Sequence, residues 1–556
     1  MERGSGEGSS APSSRETPDA PQETSAAAPN QNPGPSLEAL APLVLVLATA
    51  PWLYFFAKHY TSQPLFRDPG MFQYVGWCLR HGERLYDTVS MPDGPFIHFW
   101  HAFLQTLGGT TDRAFRTIDL LVHIVGGGLL GAALRPRTGS RPILVTAVWA
   151  ALGTCLWLTY IFTFYWSDSS QREMYYALFG TLGLATAFAV ITAERPSRSM
   201  LVLAGVLCAA PALGKHTGLV YPALAALSLF VARRQAKSWR DAWRWFFTGV
   251  GGAVLVALVL VAIFGSLRGF VYWHYVYALE VYRFIHSVPL DQVFLGMDPA
   301  RGFPLLAVLA TGGGLVAIAT RLLSPAAVGL VLAPSLQFLS GVMQGKGWGY
   351  QFHPAVAGAF AVLLLALGRV SECKPSAANP VLRAGAIWVA FTLTLAYCVR
   401  ELQQSPWRKP EDAANSPEVV TRQKVAELLR ARTPREARVL YYGIDPYTLY
   451  LAERRPAIPQ LVSFMVNFSV PTAKSKTSAA QRARIGQLER AAAADVCQRF
   501  RAHAPAAIVA ATSPPNTGPD ALQDLAQFCP EIGVALRDRY ERVADIGGTA
   551  VFLARP

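Results

Sequence analysis

The sequence predicts an α-helical polytopic membrane protein with about eleven transmembrane helices and a C-terminal α/β domain outside the membrane. Three observations lead to this fold class. Only 15% of the 556 residues are charged and 52% are hydrophobic, whereas an average soluble chain is about 25% charged. Long apolar runs follow one another from residue 39 to residue 399. Strand and helix patterns alternate only after residue 401. This composition excludes a disordered protein and disfavours a purely soluble enzyme.

The N-terminal segment 1–37 is rich in Ser, Gly, Pro, Ala and Glu and has no aromatic residue. Such a segment buries too little apolar surface to offset the entropy lost on ordering. We therefore predict a disordered cytoplasmic tail. The first apolar run, Ala39 to Ala57, lacks a basic segment directly before it and predicts an uncleaved first span.

A membrane span needs about 20 mostly apolar residues. Three of the candidates are short, namely the fifth, sixth and tenth. The fifth and sixth meet at Gly214-Lys215-His216, so a broken hairpin or a re-entrant pair is an alternative there. The eleven predicted spans are 39–58, 116–134, 143–164, 174–193, 199–213, 216–232, 245–266, 302–320, 323–343, 354–368 and 381–399.

Loop charge predicts the orientation, because cytoplasmic loops carry an excess of Lys and Arg. With the N-terminus inside, the inside loops carry 14 basic and three acidic residues, which accounts for most of the net charge of +14. The basic excess therefore indicates topology, and we predict no nucleic-acid partner. The acidic residues are Glu194, Asp241 and Glu372, and the basic residues are Arg135, Arg137, Arg141, Arg195, Arg198, Arg233, Arg234, Lys237, Arg240, Arg244, Arg321, Arg369, Lys374 and Arg383.

This topology places the loops 59–115, 165–173, 267–301 and 344–353 outside, together with the C-terminal residues 401–556. In the C-terminal part, alternating strand and helix patterns predict a small α/β domain. Its predicted helices are Pro417–Arg432, Pro446–Ala452 and Asp520–Phe528, and its predicted strands are Ala437–Tyr442, Ala506–Ala511, Tyr540–Ala544 and Thr549–Leu553. Cys497 and Cys529 fall in this domain, either as a disulfide in an oxidising exterior or as two buried thiols.

Among the acidic residues of the first outside loop, Asp68, Asp87 and Asp93 stand close to aromatic residues. Asp68 follows the first span directly, at the membrane interface. A carboxylate there can serve as a general base or as a metal ligand. The alternative is a solvated turn in which Asp68 caps the following helix.

Charged residues also occur at the ends of later spans. Asp168, Arg172 and Glu173 lie at the mouth of one span, as a site or as a helix cap with a surface ion pair. Lys215 with His216, and Lys346 in the glycine-rich run that continues to Tyr350 and His353, suit a lipid phosphate. Snorkelling to the interface is the alternative for both lysines. The aromatic loop 267–301, which includes His274 and Arg283, is either an interface belt or a cover over a lipid substrate.

Taken together, these residues resemble the GT-C class of polytopic glycosyltransferases, in particular the branch of protein O-mannosyltransferases, the lipid A aminoarabinose transferase and bacterial family-39-like enzymes. The resemblance covers residues 38–400, with 59–115 as the catalytic outer loop. It is carried by the order and placement of short motifs: Asp68-Pro69-Gly70-Met71-Phe72-Gln73-Tyr74 after the first span, Gly82…Leu85-Tyr86-Asp87 and Gly94-Pro95 before the second, Asp168…Arg172-Glu173, and Lys215…Thr217-Gly218.

The resemblance implies roles for individual residues. The family's first-loop aspartate, the catalytic base, corresponds to Asp68, and a second acidic residue corresponds to Asp168. Some members hold a divalent metal (Mg, Mn or Zn) with an acidic residue before a Lys-Pro or Lys-Gly-Pro motif. Asp93 is the nearest match, but the lysine is missing before Gly94-Pro95. The candidate contacts to the donor phosphate are Lys215, Arg172, Lys346 and His353, and further candidate site residues are Glu173, Asp87, His216 and Tyr350.

The implied function is an inverting transfer of a sugar from a polyprenyl-phosphate donor to an extracytoplasmic hydroxyl acceptor, which is a lipid, a glycan or a protein. The expected location is a bacterial inner membrane, with the lipid bilayer as a partner and the C-terminus outside. A transporter or flippase of a lipid-linked sugar is an alternative, although we see no internal repeat of the kind that transporters often show. A catalytically inactive scaffold of the same fold is a second alternative.

Overall fold

A computed structural model describes most of the chain. The predicted tail lies outside the described residues apart from Leu37, and so do Arg141, Glu194, Arg195, Arg234, Lys237 and Lys374 of the predicted inside loops. The structure describes residues 37–137, 142–193, 196–233, 239–291, 293, 303–372, 380–408, 413–473, 475–513 and 516–556.

The N-terminal two-thirds of the chain is helical, and each of the eleven predicted spans is a helix. The helices are α1 Leu37–Ser62, α2 Arg67–Arg80, α3 Pro95–Gly108, α4 Asp112–Leu134, α5 Pro142–Ile161, α6 Arg172–Ile191, α7 Arg198–Gly214, α8 Val220–Ala232, α9 Trp239–Phe264, α10 Leu267–Phe270, α11 Ala278–Glu280, α12 Phe303–Ala319, α13 Val328–Met343, α14 His353–Glu372 and α15 Pro380–Gln404. A π-helical turn, Val271–Tyr277, joins α10 to α11.

Eight helical segments in the described residues are long and apolar enough to cross a bilayer, so the chain is a multi-pass membrane protein. Three more apolar segments are shorter, Arg198–Gly214, His216–Ala232 and Pro304–Ala319. The count of eleven crossings therefore stays a prediction. The eight long segments are Leu40–Ser62, Asp112–Leu134, Pro142–Ile161, Arg172–Ile191, Trp239–Phe264, Pro325–Met343, Gly349–Glu372 and Gly385–Gln404.

The predicted outside and inside loops gather at opposite ends of the helix bundle. At one end, the amide of Gly94 donates to the carbonyl of Gly214 (2.9 Å), and that of Leu85 donates to Phe264 (2.9 Å). At the other end, the Arg137 side chain donates to the carbonyl of Thr192, and the Arg137 amide donates to Glu372 Oε1. The separation of the loops agrees with the predicted topology, and which end faces the cytoplasm stays a prediction.

Small residues let α4 and α5 pack closely. A Cβ atom at Gly131 would lie 2.0 Å from the Trp149 carbonyl oxygen, and one at Gly153 would lie 2.4 Å from the Gly127 carbonyl oxygen. Close backbone approach at small residues is the usual basis of helix association in a bilayer, where lipid competes for apolar contacts. A larger residue at either position would force the two helices apart.

The C-terminal part is an α/β unit with a five-stranded mixed sheet of order β2-β1-β3-β5-β4. Strands β1, β2 and β3 are parallel, and β5 pairs antiparallel with β3 and β4. The strands are β1 Arg438–Tyr442, β2 Arg455–Pro456, β3 Ala507–Ala511, β4 Tyr540–Ile546 and β5 Thr549–Ala554. The helices are α16 Pro417–Arg432, α17 Tyr447–Ala452, α18 Ser469–Thr472, α19 Ala479–Ala502, α20 Ala521–Phe528 and α21 Pro530–Asp538.

All predicted elements of this unit are present within a few residues of their predicted ends. Strand β2 and the helices α18, α19 and α21 were not predicted. Cys497 on α19 and Cys529 form a disulfide, with Cα atoms 5.6 Å apart, so the first of the two alternatives holds. The boundary at residue 401 stays a prediction.

The α/β unit docks directly onto the first outside loop. Arg67 pairs with Glu418 through Nε (2.7 Å) and Nη2 (2.8 Å). Tyr74 Oη donates to the Arg454 carbonyl (2.9 Å), and the Ser90 amide donates to the Pro459 carbonyl (2.7 Å). One apolar core runs across the junction, since side chains of α2 and of β1 belong to the same buried cluster. The sheet is therefore held at a fixed place above Asp68.

A buried carboxylate on α4 joins the helices beneath this end of the bundle. Asp119 is fully buried and accepts hydrogen bonds from Tyr60 of α1, from Ser170 Oγ (2.5 Å) and from Tyr175 Oη of α6 (2.6 Å). Arg116, one helical turn earlier, donates to Ser170 Oγ (2.9 Å). The network fixes the loop before α6, which carries several candidate site residues.

We expect Asp119→Ala to lower the free energy of unfolding by roughly 3 kcal/mol, because three buried hydroxyls lose their acceptor and each unsatisfied group costs about 1–3 kcal/mol. Thermal unfolding in detergent, followed by tryptophan fluorescence, measures the change. The control is Asp241→Ala at an exposed position of α9, for which we expect a change within about 0.5 kcal/mol. Equal unfolding temperatures for both variants would contradict the role of Asp119.

Candidate active site

The outside loops and the α/β unit enclose two neighbouring cavities. The larger cavity, of about 1070 Å³, lies between α2, the loop before α6, the segment 346–350 and the α/β unit. The smaller cavity, of about 700 Å³, lies between the α7–α8 junction, α11 and the segment after α13. Asp93, Tyr282 and Lys346 line both cavities and form part of the wall between them.

Asp68 lies in the first turn of α2 and lines the larger cavity. The N-cap of α2 is Phe66, with extended backbone and no side-chain cap, so the predicted capping alternative for Asp68 is wrong. Among the described residues, no side chain or backbone group makes a hydrogen bond or an ion pair with the Asp68 carboxylate. The carboxylate is therefore free to contact a ligand in the cavity.

Burial raises the pKa of Asp68 from its ordinary value of 3.8 to about 6. Loss of hydration is the largest cause, because it disfavours the charged form. The Arg172 guanidinium lowers this pKa, whereas the neighbouring carboxylates of Glu173 and Asp93 raise it further. The result is a carboxylate that is ionised at neutral pH and still basic enough to accept a proton.

Next to Asp68, three buried charged groups and the partly buried Lys215 form a continuous chain. Arg172 donates through Nη1 to Asp93 Oδ1 and through Nε to Glu173 Oε1 (3.0 Å). Lys215 Nζ donates to the same Glu173 oxygen (2.9 Å) and to Gln344 Oε1. Arg172, Glu173 and Asp93 are 4%, 2% and 5% exposed. The three predicted segments that carry these residues therefore meet at one point, and the predicted surface pair of Arg172 with Glu173 is a buried pair.

The Gly94-Pro95 motif positions Asp93. A Cβ atom at Gly94 would lie 2.1 Å from the Leu213 carbonyl oxygen, so only glycine fits against the end of α7. Pro95 occupies the first turn of α3, where a missing amide hydrogen is tolerated. Tyr86, in the left-handed region with φ of 64°, donates its hydroxyl to the Asp93 carbonyl (2.6 Å). These contacts explain the spacing of the motifs in the first outside loop.

A divalent metal does not fit this donor set. Within the part of the chain that the structure describes, no group of three or more His, Cys, Asp or Glu side chains could hold a metal ion. The Asp93 carboxylate, which we predicted as a metal ligand, is paired with Arg172 instead. Arg172 already balances the charge of Asp93 and Glu173, and we derive no catalytic step through a metal.

Lys346 is held by the backbone and not by a charged partner. Its Nζ donates to the carbonyls of Tyr282 (2.9 Å), Arg283 (3.2 Å) and Ile285, which uses all three of its hydrogens. Burial lowers the pKa of Lys346 to about 7, and the nearby Lys215 lowers it as well. This lysine joins the segment after α11 to the segment after α13. Because all three hydrogens of its Nζ are used, none remains for the predicted contact with a phosphate.

The remaining candidate residues fall into two groups. Asp168 and Tyr350 line the larger cavity, and His216 lines the smaller one, with its ring stacked on His274 at 4.3 Å. His353 is fully buried, where it contacts Tyr160 Oη (2.9 Å) and the Asp168 carbonyl (3.0 Å), and it lines neither cavity. Asp87 is also outside both cavities and pairs with Arg84 (3.4 Å) and Arg499 (3.7 Å) at the surface.

Several residues at the cavities had no predicted role. Arg283, Lys476 and Gln344 line the smaller cavity, and Gln171 lines the larger one. Arg283 was visible as a cation within the aromatic loop, and Gln171 directly precedes Arg172. Gln344 directly precedes the glycine-rich run of Lys346, whereas Lys476 stands in a stretch without a distinguishing pattern and reaches the cavity only through the tertiary fold.

No protein-family model matches this chain, and no curated protein matches it. Among solved structures, it is similar to ArnT from Cupriavidus metallidurans bound to undecaprenyl phosphate, with a TM-score of 0.55 and 15% identity over 93% of this chain and 100% of that chain. The apo state of the same ArnT gives a TM-score of 0.49 at 16% identity, over 92% and 99% of the two chains. Archaeal oligosaccharyltransferase AglB from Archaeoglobus fulgidus, in complex with an inhibitory peptide and a dolichol-phosphate, gives a TM-score of 0.47 at 11% identity. That match covers 94% of this chain and 74% of the AglB chain.

At these identities the likeness concerns the fold. The first comparison extends over nearly the whole of both chains, and it includes the α/β unit as well as the helices. The GT-C-like fold that the motifs predicted is therefore confirmed.

We expect Asp68→Asn to stabilise the protein above pH 6. A folded-state pKa of about 6 in place of 3.8 means that the folded protein binds a proton more tightly than the unfolded chain, so stability falls as the pH rises from about 4 to 6 and stays lower above. The cost of the ionised carboxylate is at most ~3 kcal/mol. Asparagine removes this cost.

Thermal unfolding of wild type and Asp68→Asn at pH 4.5 and pH 8 measures this difference. The variant should unfold at a higher temperature at pH 8, and the gap should shrink at the lower pH. Asp87→Asn serves as the control, since Asp87 is at the surface. A lower unfolding temperature for Asp68→Asn at pH 8 would show that Asp68 makes a stabilising contact.

Proposed function

We propose that this protein is a membrane glycosyltransferase that moves a sugar from a polyprenyl-phosphate donor to a hydroxyl acceptor on the outer side of a bacterial cytoplasmic membrane. The observation that carries the proposal is the Asp68 carboxylate. It is free of partners among the described residues, faces a large cavity and has a pKa of about 6. A group with these properties is suited to remove a proton from a hydroxyl at neutral pH.

The smaller cavity suits the phosphate of the donor. Lys215 lines it, and its two hydrogen bonds leave a third hydrogen for a ligand. Arg283 and Lys476 also line it, and neither forms an ion pair within the described residues. Leu279 and Met343, both exposed, stand in the lining and offer apolar surface for a prenyl chain. Cationic and apolar groups side by side match a lipid phosphate.

The larger cavity then holds the acceptor next to Asp68. The wall between the cavities contains Asp93, which is paired with Arg172. In this proposal the sugar C1 of a donor bound in the smaller cavity lies on the side of that wall that faces Asp68. Asp168 lines the same cavity and is proposed as a second acidic site residue. The lipid-phosphate donor is further supported by the similarity in fold to an enzyme crystallised with undecaprenyl phosphate.

The reaction is a single displacement. The acceptor oxygen forms a bond to C1 of the sugar as its proton passes to an Asp68 oxygen, and the bond between C1 and the phosphate oxygen breaks. The polyprenyl phosphate leaves with the electron pair of that bond, and the configuration at C1 inverts. Lys215 and Arg283 stabilise the negative charge that develops on the leaving phosphate. Arg172 holds Asp93 and Glu173 in place and lowers the pKa of Asp68.

The test is release of free polyprenyl phosphate by the purified protein in detergent, from a panel of polyprenyl-phosphate sugars, compared between wild type and Asp68→Asn. A general base contributes about 10²–10⁴-fold, so the variant should lose activity by that factor. The matched control is Asp87→Asn on the same loop, which should keep wild-type activity. Because the base must be ionised, kcat/KM of wild type should fall as the pH drops through about 6.

Three results would contradict the proposal. Wild-type turnover by Asp68→Asn would exclude Asp68 as the base. A fall in kcat/KM only near pH 4 would show that the reacting carboxylate has the ordinary pKa of an exposed group and is not the buried Asp68. Movement of an intact lipid-linked sugar between leaflets of a vesicle, with no release of polyprenyl phosphate, would establish a flippase.

Arg283→Ala should raise KM for the donor about tenfold, because one charge-assisted contact to the phosphate is lost. The KM for the acceptor should stay unchanged, since Arg283 lines only the smaller cavity. The measurement is initial rates at varied donor concentration. Arg490→Ala, at an exposed position of α19 outside both cavities, is the matched control. An unchanged donor KM in Arg283→Ala would place the phosphate elsewhere.

A further inference from the structure

The α/β unit directs the carboxyl ends of its parallel strands toward Asp68. Strand β1 connects to β2 on one side and is flanked by β3 on the other, so the order of the sheet reverses between β1 and β3. In open sheets, ligands bind outside the strand carboxyl ends at such a point. Here Ile444, just after β1, and Asn516 to Pro519, after β3, line the larger cavity together with Asp68. The sheet therefore forms one wall of the proposed acceptor site.

The cations in the described lining of the larger cavity are all engaged by the protein itself. Arg67 is paired with Glu418, and Arg172 is paired with Asp93 and Glu173. Lys346 donates to three carbonyls, and His286 contacts Asn516 Oδ1 at 2.5 Å. The carboxylate of Asp68 has no such partner among the described residues. A phosphorylated or carboxylated acceptor would therefore meet negative charge without a free cation to balance it.

Aromatic rings and one hydrogen-bond acceptor without a partner among the described residues also belong to the lining. Trp348, Tyr350, Tyr282 and Phe464 contribute rings. Gln171 is 2% exposed, and its Oε1 has no hydrogen-bond partner in the part of the chain that the structure describes. A buried acceptor without a partner indicates a ligand that supplies a donor.

These properties of the cavity lining are complementary to the two kinds of surface on a sugar. A pyranose presents a face of C–H groups, which packs on aromatic rings, and an edge of hydroxyl groups, which donate to carboxylate and amide oxygens. We propose that the larger cavity binds the acceptor as a neutral saccharide, with its C–H face on Trp348 and neighbouring hydroxyls on Gln171 Oε1 and on Asp68. This inference rests on the proposed function, because it assigns the hydroxyl that Asp68 deprotonates.

The test reads binding without the donor, so it does not depend on catalysis. The full-length protein in detergent is mixed with the methyl glycosides of glucose, galactose, mannose and N-acetylglucosamine, and saturation transfer from the protein to each sugar is measured by NMR. We expect transfer to the ring C–H protons of at least one neutral glycoside. In Trp348→Ala this signal should fall at least fivefold. Gln171→Leu should raise the Kd for the glycoside about tenfold, since one buried hydrogen bond is lost.

Trp239→Ala is the matched control, because Trp239 begins α9 at the opposite end of the bundle, and it should bind the glycosides as wild type does. Lipid A and a peptide rich in Ser and Thr are tested in the same way. The proposal is overturned if the folded protein shows no transfer to any neutral glycoside at ~10 mM. It is equally overturned if lipid A or the peptide binds in a Trp348-dependent manner and the glycosides do not.

The two proposals fail in different ways. Release of polyprenyl phosphate with no glycoside binding would keep the glycosyltransferase and reject the saccharide acceptor. Glycoside binding that depends on Trp348, without release of polyprenyl phosphate from any donor, would keep the saccharide site and reject the transfer reaction.

Discussion

The chain of charges Asp93–Arg172–Glu173–Lys215, buried except at Lys215, is the interaction on which this end of the molecule depends. Its members come from the first outside loop, the start of α6 and the junction of α7 with α8, and its last contact reaches Gln344 after α13. Buried charges are stable only when they are paired and hydrogen-bonded, and removal of one partner costs about 3–5 kcal/mol. The chain therefore fixes four separate segments relative to each other and leaves the cavities little freedom to change shape.

The surrounding contacts serve the same geometry. Gly94 allows the first loop to lie against the end of α7, and Lys346 fastens the segment after α11 by three carbonyls. Asp119 holds the loop before α6 from below, and Arg67 joins α2 to the α/β unit through Glu418. None of these groups needs to touch a substrate. They place a small set of others, above all Asp68, in the larger cavity, next to the smaller cavity that Lys215, Arg283 and Lys476 line.

Much of this arrangement could be read from the sequence, and the rest could not, for physical reasons. Span length and loop charge are local properties, so the helices and the grouping of the loops were predictable. Asp68, Asp93 and Arg172 stood out through short motifs in the outside loops, and Lys215 stood out because charged residues at membrane depth are rare. Helix α19 was missed although Ile485, Leu488, Ala492, Val496 and Phe500 give a helical stripe and Ser478 with Gln481 forms a capping box. The partners of Lys346 could not be predicted, because every residue has a backbone carbonyl and the sequence does not show which carbonyls accept a hydrogen bond.

The charge balance of the site connects its structure with the proposed chemistry. Asp68, Asp93 and Glu173 supply three carboxylates near two cations, Arg172 and Lys215, so one negative charge is in excess while Asp68 is ionised. The excess charge is removed when Asp68 takes up a proton. Since a general base ends its step in the protonated form, the cluster becomes neutral as the acceptor loses its proton. The burial that raises the pKa of Asp68 to about 6 and the nearby carboxylates of Glu173 and Asp93 thus favour this product state, whereas Arg172 opposes it. A divalent metal ion added to this cluster would turn the one excess negative charge into an excess positive charge. With Arg172 and Lys215 as the cations, the excess charge is negative until Asp68 takes up the proton.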